Sequence, residues 1–142
     1  MNDKIKHLTE NGAVFFPAGN TRALELASAA LQSMKAAVLP KIMTDAYQAA
    51  GGAVLGDACW FGLEDAARPV GYEMPSIVRV NREMSGFSVL RGFTIWGRNQ
   101  MYSFSANAIG EIWMHDMLTF QRLRKYDDFW TALTDCLMVG KL

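Results

Sequence analysis

Residues 93–116, FTIWGRNQMYSFSANAIGEIWMHD, decide the fold. Phe93 and Ile95 alternate with Thr94 and Trp96, Tyr102 and Phe104 with Ser103 and Ser105, and Ile112 and Met114 with Glu111, Trp113 and His115. A period of two places alternate side chains on opposite faces of a sheet, so each run reads as a short strand. Gly97-Arg98-Asn99-Gln100 and Ala106-Asn107-Ala108-Ile109-Gly110 supply turn residues at hairpin length. The expected product is an antiparallel meander. Its apolar face, Phe93, Ile95, Tyr102, Phe104, Ile112 and Met114, needs cover from the helical stretches on either side.

Upstream, Asn20 and Thr21 are good helix caps, and Leu24, Ala27, Leu31, Met34 and Val38 follow at spacings of three and four. This is the stripe of an amphipathic helix of about five turns. Pro40 ends it by driving Leu39 out of the helical region, and itself suits the first position of a second helix. Ile42, Met43, Ala46, Tyr47 and Ala50 form that helix's buried face, and Gly51-Gly52 is expected to stop it with a left-handed cap. Val54-Leu55 and Cys59-Trp60-Phe61 flank Gly56-Asp57 as short strands. Ser76 caps a third helix through about Met84 with Ile77, Val80 and Met84 inward, although its β-branched content also suits a strand. Residues 1–20 read either as a short helix or as an edge extension that packs Phe15 and Phe16 on the core.

Downstream, Leu118-Thr119-Phe120 suggests a further strand, and Asp127 caps a closing helix with Phe129, Trp130, Leu133 and Leu137 on one side. The order of elements lacks regular βαβ alternation. It therefore predicts one α+β domain spanning residues 1–142, with a mainly antiparallel sheet and helices packed on one face. No repeat or low-complexity linker divides the chain.

The composition is that of a globular protein, with 51% hydrophobic and 20% charged residues. Fourteen basic and fourteen acidic side chains cancel, which argues against a domain built to grip phosphate backbone. The run Arg122, Arg124, Lys125 reads as a solvated edge or connector. No apolar run reaches the roughly 20 residues of a membrane helix, and MNDKIKHLTENG has no signal-peptide core, so a cytoplasmic protein is expected. Cys59 and Cys136 lie outside any metal or redox spacing and read as two small buried thiols.

Catalytic patterns are missing from the sequence. His115-Asp116 is the one adjacent pair with catalytic chemistry, but strand neighbours point to opposite faces and one cannot orient the other. His115 then becomes a strand-end histidine and Asp116 a turn-former. His7 and His115 have no metal-ligand spacing, and neither a nucleophile elbow nor a phosphate-binding glycine loop occurs. No enzyme activity, cofactor or metal is expected.

The outer face of the meander would hold Thr94, Trp96, Ser103, Ser105, Glu111, Trp113 and His115. Two tryptophans on a polar face are the anchors a protein-recognition surface uses. The alternative is that a loop, such as 64–75, folds over them and they are core. Glu64, Asp65 and Glu73 make that loop acidic; together they could bind a cation, and a solvated loop is the plainer use.

Taken in order, several motifs resemble the SUKH superfamily, the group that includes yeast cell-wall regulators and many bacterial immunity proteins. They are the amphipathic helix leading into Leu39-Pro40, the helix closed by Gly51-Gly52, Phe61-Gly62-Leu63-Glu64, the strand ending in Trp96-Gly97-Arg98, Gly110-Glu111-Ile112-Trp113 with Asp116, and an aromatic helix at Tyr126 to Trp130. The resemblance implies a non-enzymatic protein-binding domain, and in bacteria a cytosolic immunity protein that neutralises a cognate toxin. Trp96, Trp113, His115, Glu64, Asp65 and Glu73 would then form the interface. A resident adaptor that binds a housekeeping partner is the alternative. Many such toxins are nucleases, but the neutral charge does not suit a blocker of a basic nuclease, for which an acidic surface is expected.

Overall fold

The computed structural model describes residues 3–64, 66–67 and 73–139. Among them are five helices, α1 (Asp3–Glu10), α2 (Thr21–Ser33), α3 (Lys41–Ala49), α4 (Ile77–Glu83) and α5 (Phe129–Leu137). The strands are β1 (Val14–Phe15), β2 (Ala53–Leu55), β3 (Ala58–Trp60), β4 (Ala66–Ala67), β5 (Glu73–Met74), β6 (Phe93–Arg98), β7 (Tyr102–Asn107), β8 (Ile112–Asp116) and β9 (Arg122–Tyr126). Seven of these form one antiparallel sheet in the order β1-β2-β3-β6-β7-β8-β9, and β4 and β5 pair separately. This is the α+β architecture expected from the meander, an open sheet with helices packed against it. No helix among the described residues is long and apolar enough to cross a membrane.

Helix α5 lies across the sheet and touches β3, β6, β7, β8 and β9. Ring contacts run from Tyr47 of α3 to Trp60 of β3 at 5.1 Å, on to Phe129 of α5 at 4.9 Å, then to Trp96 of β6 at 4.7 Å and Phe104 of β7 at 5.4 Å. Burying large aromatic side chains contributes more per residue than any other apolar group, and tilted contacts at these separations add to it. One continuous aromatic line therefore joins two helices to three strands.

The faces of β7 and β8 follow the sequence expectation, but β6 is inverted. Paired residues in an antiparallel ladder share a face. Ile95 pairs with Ser105, which pairs with Trp113, so Ile95 stands on the outer face with them. Thr94 pairs with Ala106, which pairs with Ile112 on the side facing α5, and Trp96 follows Thr94 inward. Alternation in FTIW is ambiguous because both sets are apolar enough to be buried; the ladder decides. A β-bulge between Ile95 and Gly97 then resets the register, so that Arg98 pairs with Ser103 on the outer side. Without the extra residue Arg98 would follow Trp96 into the core.

Several boundaries differ from expectation for identifiable reasons. Helix α2 ends at Ser33, because Lys35 takes a left-handed conformation (φ 62°) and the Lys35 and Ala36 N–H groups bond back to Gln32 and Leu31. That is a Schellman stop without glycine, and it leaves Val38 outside the helix. Pro40 is the N-cap of α3 rather than its first residue, and Asp128 rather than Asp127 caps α5. The expected left-handed stop at Gly51-Gly52 is absent: Ala50, the C-cap, is extended. The glycines instead admit a close backbone approach, since a Cβ on Gly51 would lie 2.2 Å from the Pro17 carbonyl oxygen and one on Gly52 2.8 Å from that of Trp60. Residues 3–15 form both a helix and an edge strand. The expected strand at 118–120 is a turn, and the basic run is edge strand β9, where exposed charge discourages pairing with other chains.

Among the described residues, no strand lies beside the first half of β6 on the side opposite β7. Asn81 of α4 takes that place: its carboxamide accepts from the Ile95 N–H and donates to the Ile95 carbonyl, both at 2.9 Å. Cys59 and Cys136 are both buried thiols, as expected, and the Cys136 thiol contacts the carbonyls of Cys59 and Arg98 beside the bulge.

Gly97 fits because a Cβ there would lie 2.9 Å from the Cys59 carbonyl oxygen. Gly97→Ala should therefore destabilise the fold by about 1–3 kcal/mol, as overpacking against backbone does. Gly86→Ala, where a Cβ meets nothing within 4 Å, should stay within about 0.5 kcal/mol of the parent. Urea unfolding of the two variants checks this, and equal midpoints would contradict the packing account.

Candidate functional site

Of the residues expected at the interface, Trp96 lies elsewhere. It is fully buried between Phe104 and Phe129, which corrects its assignment as an outer-face anchor. Glu64 is exposed just after β3 and borders a groove with Phe16, Pro17, Leu63 and Met74. Two strands, β6 and β7, separate β3 from the strand that carries Trp113 and His115, so these are not brought together with Glu64. Asp65 lies outside the described residues, and of Glu73 the structure describes the backbone, paired with Ala67.

Trp113 and His115 do stand on the outer face, but His115 is only 1% exposed and Ser105 beside it 0%. The His115 Nδ1 lies 2.9 Å from the Phe120 carbonyl oxygen, which can only accept, so Nδ1 carries a proton. In the neutral ring Nε2 must then accept from the Ser105 hydroxyl, 2.6 Å away. Burial pushes the His115 pKa below its usual value; the Phe120 carbonyl opposes this, and the Arg122 charge adds to it.

A hydroxyl hydrogen-bonded to an oriented neutral imidazole has the parts of an activated nucleophile. Here both groups are sealed from solvent. The pair instead ties β7, β8 and the following turn together. Asp116 is the turn-former expected from sequence: its carboxylate accepts from the Leu118 and Thr119 N–H groups at 2.9 Å, which holds its pKa low. Among the described residues no group of three or more histidine, cysteine, aspartate or glutamate side chains is placed to hold a metal ion.

What covers the Ser105–His115 pair forms the outer surface. Phe93 stands edge-on to the His115 ring at 5.5 Å, and Phe120, held at a positive φ of 59°, packs against Phe87 at 5.1 Å. The Arg122 guanidinium lies 5.8 Å from the Phe93 ring centre and 5.1 Å from that of half-buried Trp113. Lys125 meets Glu111 at 3.0 Å, while Asn107 and Lys125 together keep the Glu111 carboxyl low. Phe87 is 50% exposed. The result is an aromatic surface crossed by a stacked arginine. Phe87, Phe93, Phe120 and Arg122 were not legible as site residues, since they come from four separate segments; the Ser105–His115 contact is diagonal in a hairpin that sets His115 opposite Ser103, so sequence alternation shows only that the two share a face.

No family model matches this chain, and no curated protein or solved structure matches it either.

Because His115 is buried neutral, its pKa is lower folded than unfolded. Its stability contribution is thus complete above the unfolded value near 6.5 and declines as pH falls through that value toward the folded one. Between pH 7 and pH 5 the unfolding free energy should drop with a slope of up to about 1.4 kcal/mol per pH unit, and His115→Gln should flatten the slope. Urea titrations at three pH values measure it; an unchanged slope in the variant would show that His115 is not the titrating group.

Proposed function

We propose that this chain is a non-catalytic protein-recognition domain of the immunity type, which acts in the cytoplasm by covering part of a cognate toxin. The observation that carries this is the outer surface: exposed Phe87 against Phe120, with Arg122 stacked between Phe93 and Trp113. Large aromatic side chains and arginine are the residue types that dominate binding energy at protein interfaces. A stacked arginine is already ordered before contact, so little side-chain entropy is lost on binding. The sealed Ser105–His115 pair supports recognition over catalysis, because its hydrogen bonds are all used to hold this surface in place. The motif order shared with the SUKH superfamily supports the immunity role, and the neutral net charge leaves the toxin's activity open.

Growth rescue tests it. The chain is co-expressed with the C-terminal toxic domains encoded beside its gene, and one of them should be neutralised. Trp113→Ala should remain folded yet weaken binding by about 2 kcal/mol, roughly thirtyfold, and reduce rescue accordingly. Failure to rescue from any neighbour, or full rescue by Trp113→Ala at limiting expression, would overturn the proposal.

A further inference from the structure

A small cavity opens beside the aromatic surface, where three segments end together. Residues 34–36 follow the end of helix α2, residues 84–86 follow the end of helix α4, and the 3-10 turn Ser88–Leu90 leads into Arg91 and Phe93. The Gly92 N–H donates to the Lys35 carbonyl, which fixes the Arg91 backbone against the α2 terminus. Lys35 and Arg91 both line the cavity, both are exposed, and neither makes an ion pair with a described residue. The charges that oppose them are the partial negative ends of α2 and α4, which favour a cation by only about 0.3–1 kcal/mol each. Phe87 and Phe93 form the apolar side of the same cavity.

From this we infer that the cavity receives an acidic side chain of the partner protein. The carboxylate sits between Lys35 and Arg91, and a neighbouring apolar side chain of the partner rests on Phe87. The inference rests on the protein-recognition function proposed above and specifies the chemistry of the partner. Two observations select this occupant. The charge at the cavity mouth is positive, and like charge there would be repelled. The volume, about 100 Å³, holds one side-chain head group, whereas sites for drug-sized ligands run from about 300 Å³ upward. Single-stranded nucleic acid would need a charged groove tracking several nucleotides, and this is a single short cavity. Lys35 owes its position to the Schellman stop at the end of α2, where its left-handed backbone turns the chain away from the helix axis.

The site is tested on the full chain, isotopically labelled, by NMR titration with N-acetyl-aspartyl-phenylalanine amide. Shifts should concentrate at Lys35, Ser88 and Arg91, with a dissociation constant of the order of 1–10 mM, the range a single pair of contacts supports. The asparaginyl analogue, identical in shape but uncharged, should bind at least fivefold more weakly, and so should the Lys35→Glu/Arg91→Glu variant. Both replaced residues are exposed, and the variant's own spectrum reports that it is folded. Equal binding of the two peptides, no shifts at these residues, or stronger binding of an eight-residue oligothymidylate at the same place would overturn the inference. Growth rescue separates the two proposals. Undiminished rescue by Lys35→Glu/Arg91→Glu removes the acidic-partner site alone, while peptide binding at Lys35 and Arg91 without any rescue removes the toxin role alone.

Discussion

The one-residue bulge in β6 is the constraint on which the rest of the structure depends. Trp96 must face α5 to complete the aromatic line from Tyr47 to Phe104, yet Arg98, two residues later, must stay out of the core. A regular strand would put both on one face. The bulge resolves the conflict by leaving Trp96 unpaired in the ladder, and glycine follows it at position 97 because the Cys59 carbonyl of β3 approaches closely there. Arg98 then emerges on the outer side, where its guanidinium lies over the Phe61 ring. The same register places Ile95, Ser105 and Trp113 in one outward row. The core and the outer surface are thus set by a single local irregularity.

The outer face is a second, thin packing layer with a polar centre. Phe93, Phe120 and Arg122 close over Ser105 and His115, and each buried polar atom of that pair finds a partner. Burial of an unpaired imidazole or hydroxyl would cost about 1–3 kcal/mol, so this network makes the cover specific rather than greasy. It also holds Phe120 in a left-handed conformation that a bulky residue seldom adopts. Strain of this kind persists where the surroundings over-determine it, here through the His115 hydrogen bond, the Asp116 turn and the Phe87 contact. The outer surface is consequently preorganised.

Fold class was legible because the meander's alternation and the helix stripes are strong local signals, and they gave the right identity for most elements. The faces of β7 and β8 were legible because serine alternates with apolar residues in YSFSA, and in EIWMH the polar Glu111 and His115 mark the face opposite Ile112 and Met114. β6 was not: FTIW carries apolar residues on both sides, and only its pairing partners decide which face is which. The Gly51-Gly52 pair was correctly seen as a helix end but for the wrong physical cause, because the nearby Pro17 carbonyl is a tertiary neighbour invisible in sequence. The same holds for Asn81, a polar residue on an apolar helix whose role emerges only when β6 is placed beside it. Of the candidate site, Trp113 and the turn-forming Asp116 were readable; the surface around them is assembled from distant segments.

The proposed protein-recognition role joins these features into one picture: the bulge fixes which aromatics are core, the Ser105–His115 pair fixes the cover, and the cover presents Phe87, Arg122 and Trp113. Site-specific photo-crosslinking in rescued cells tests that picture most directly. A benzophenone side chain replaces Phe87 in one variant and Val14, exposed at the opposite edge of the sheet, in another. Crosslinks to the toxin from position 87 and none from position 14 are the predicted result. Crosslinks from position 14 and none from position 87 would place the interface on the other side of the molecule and contradict the account.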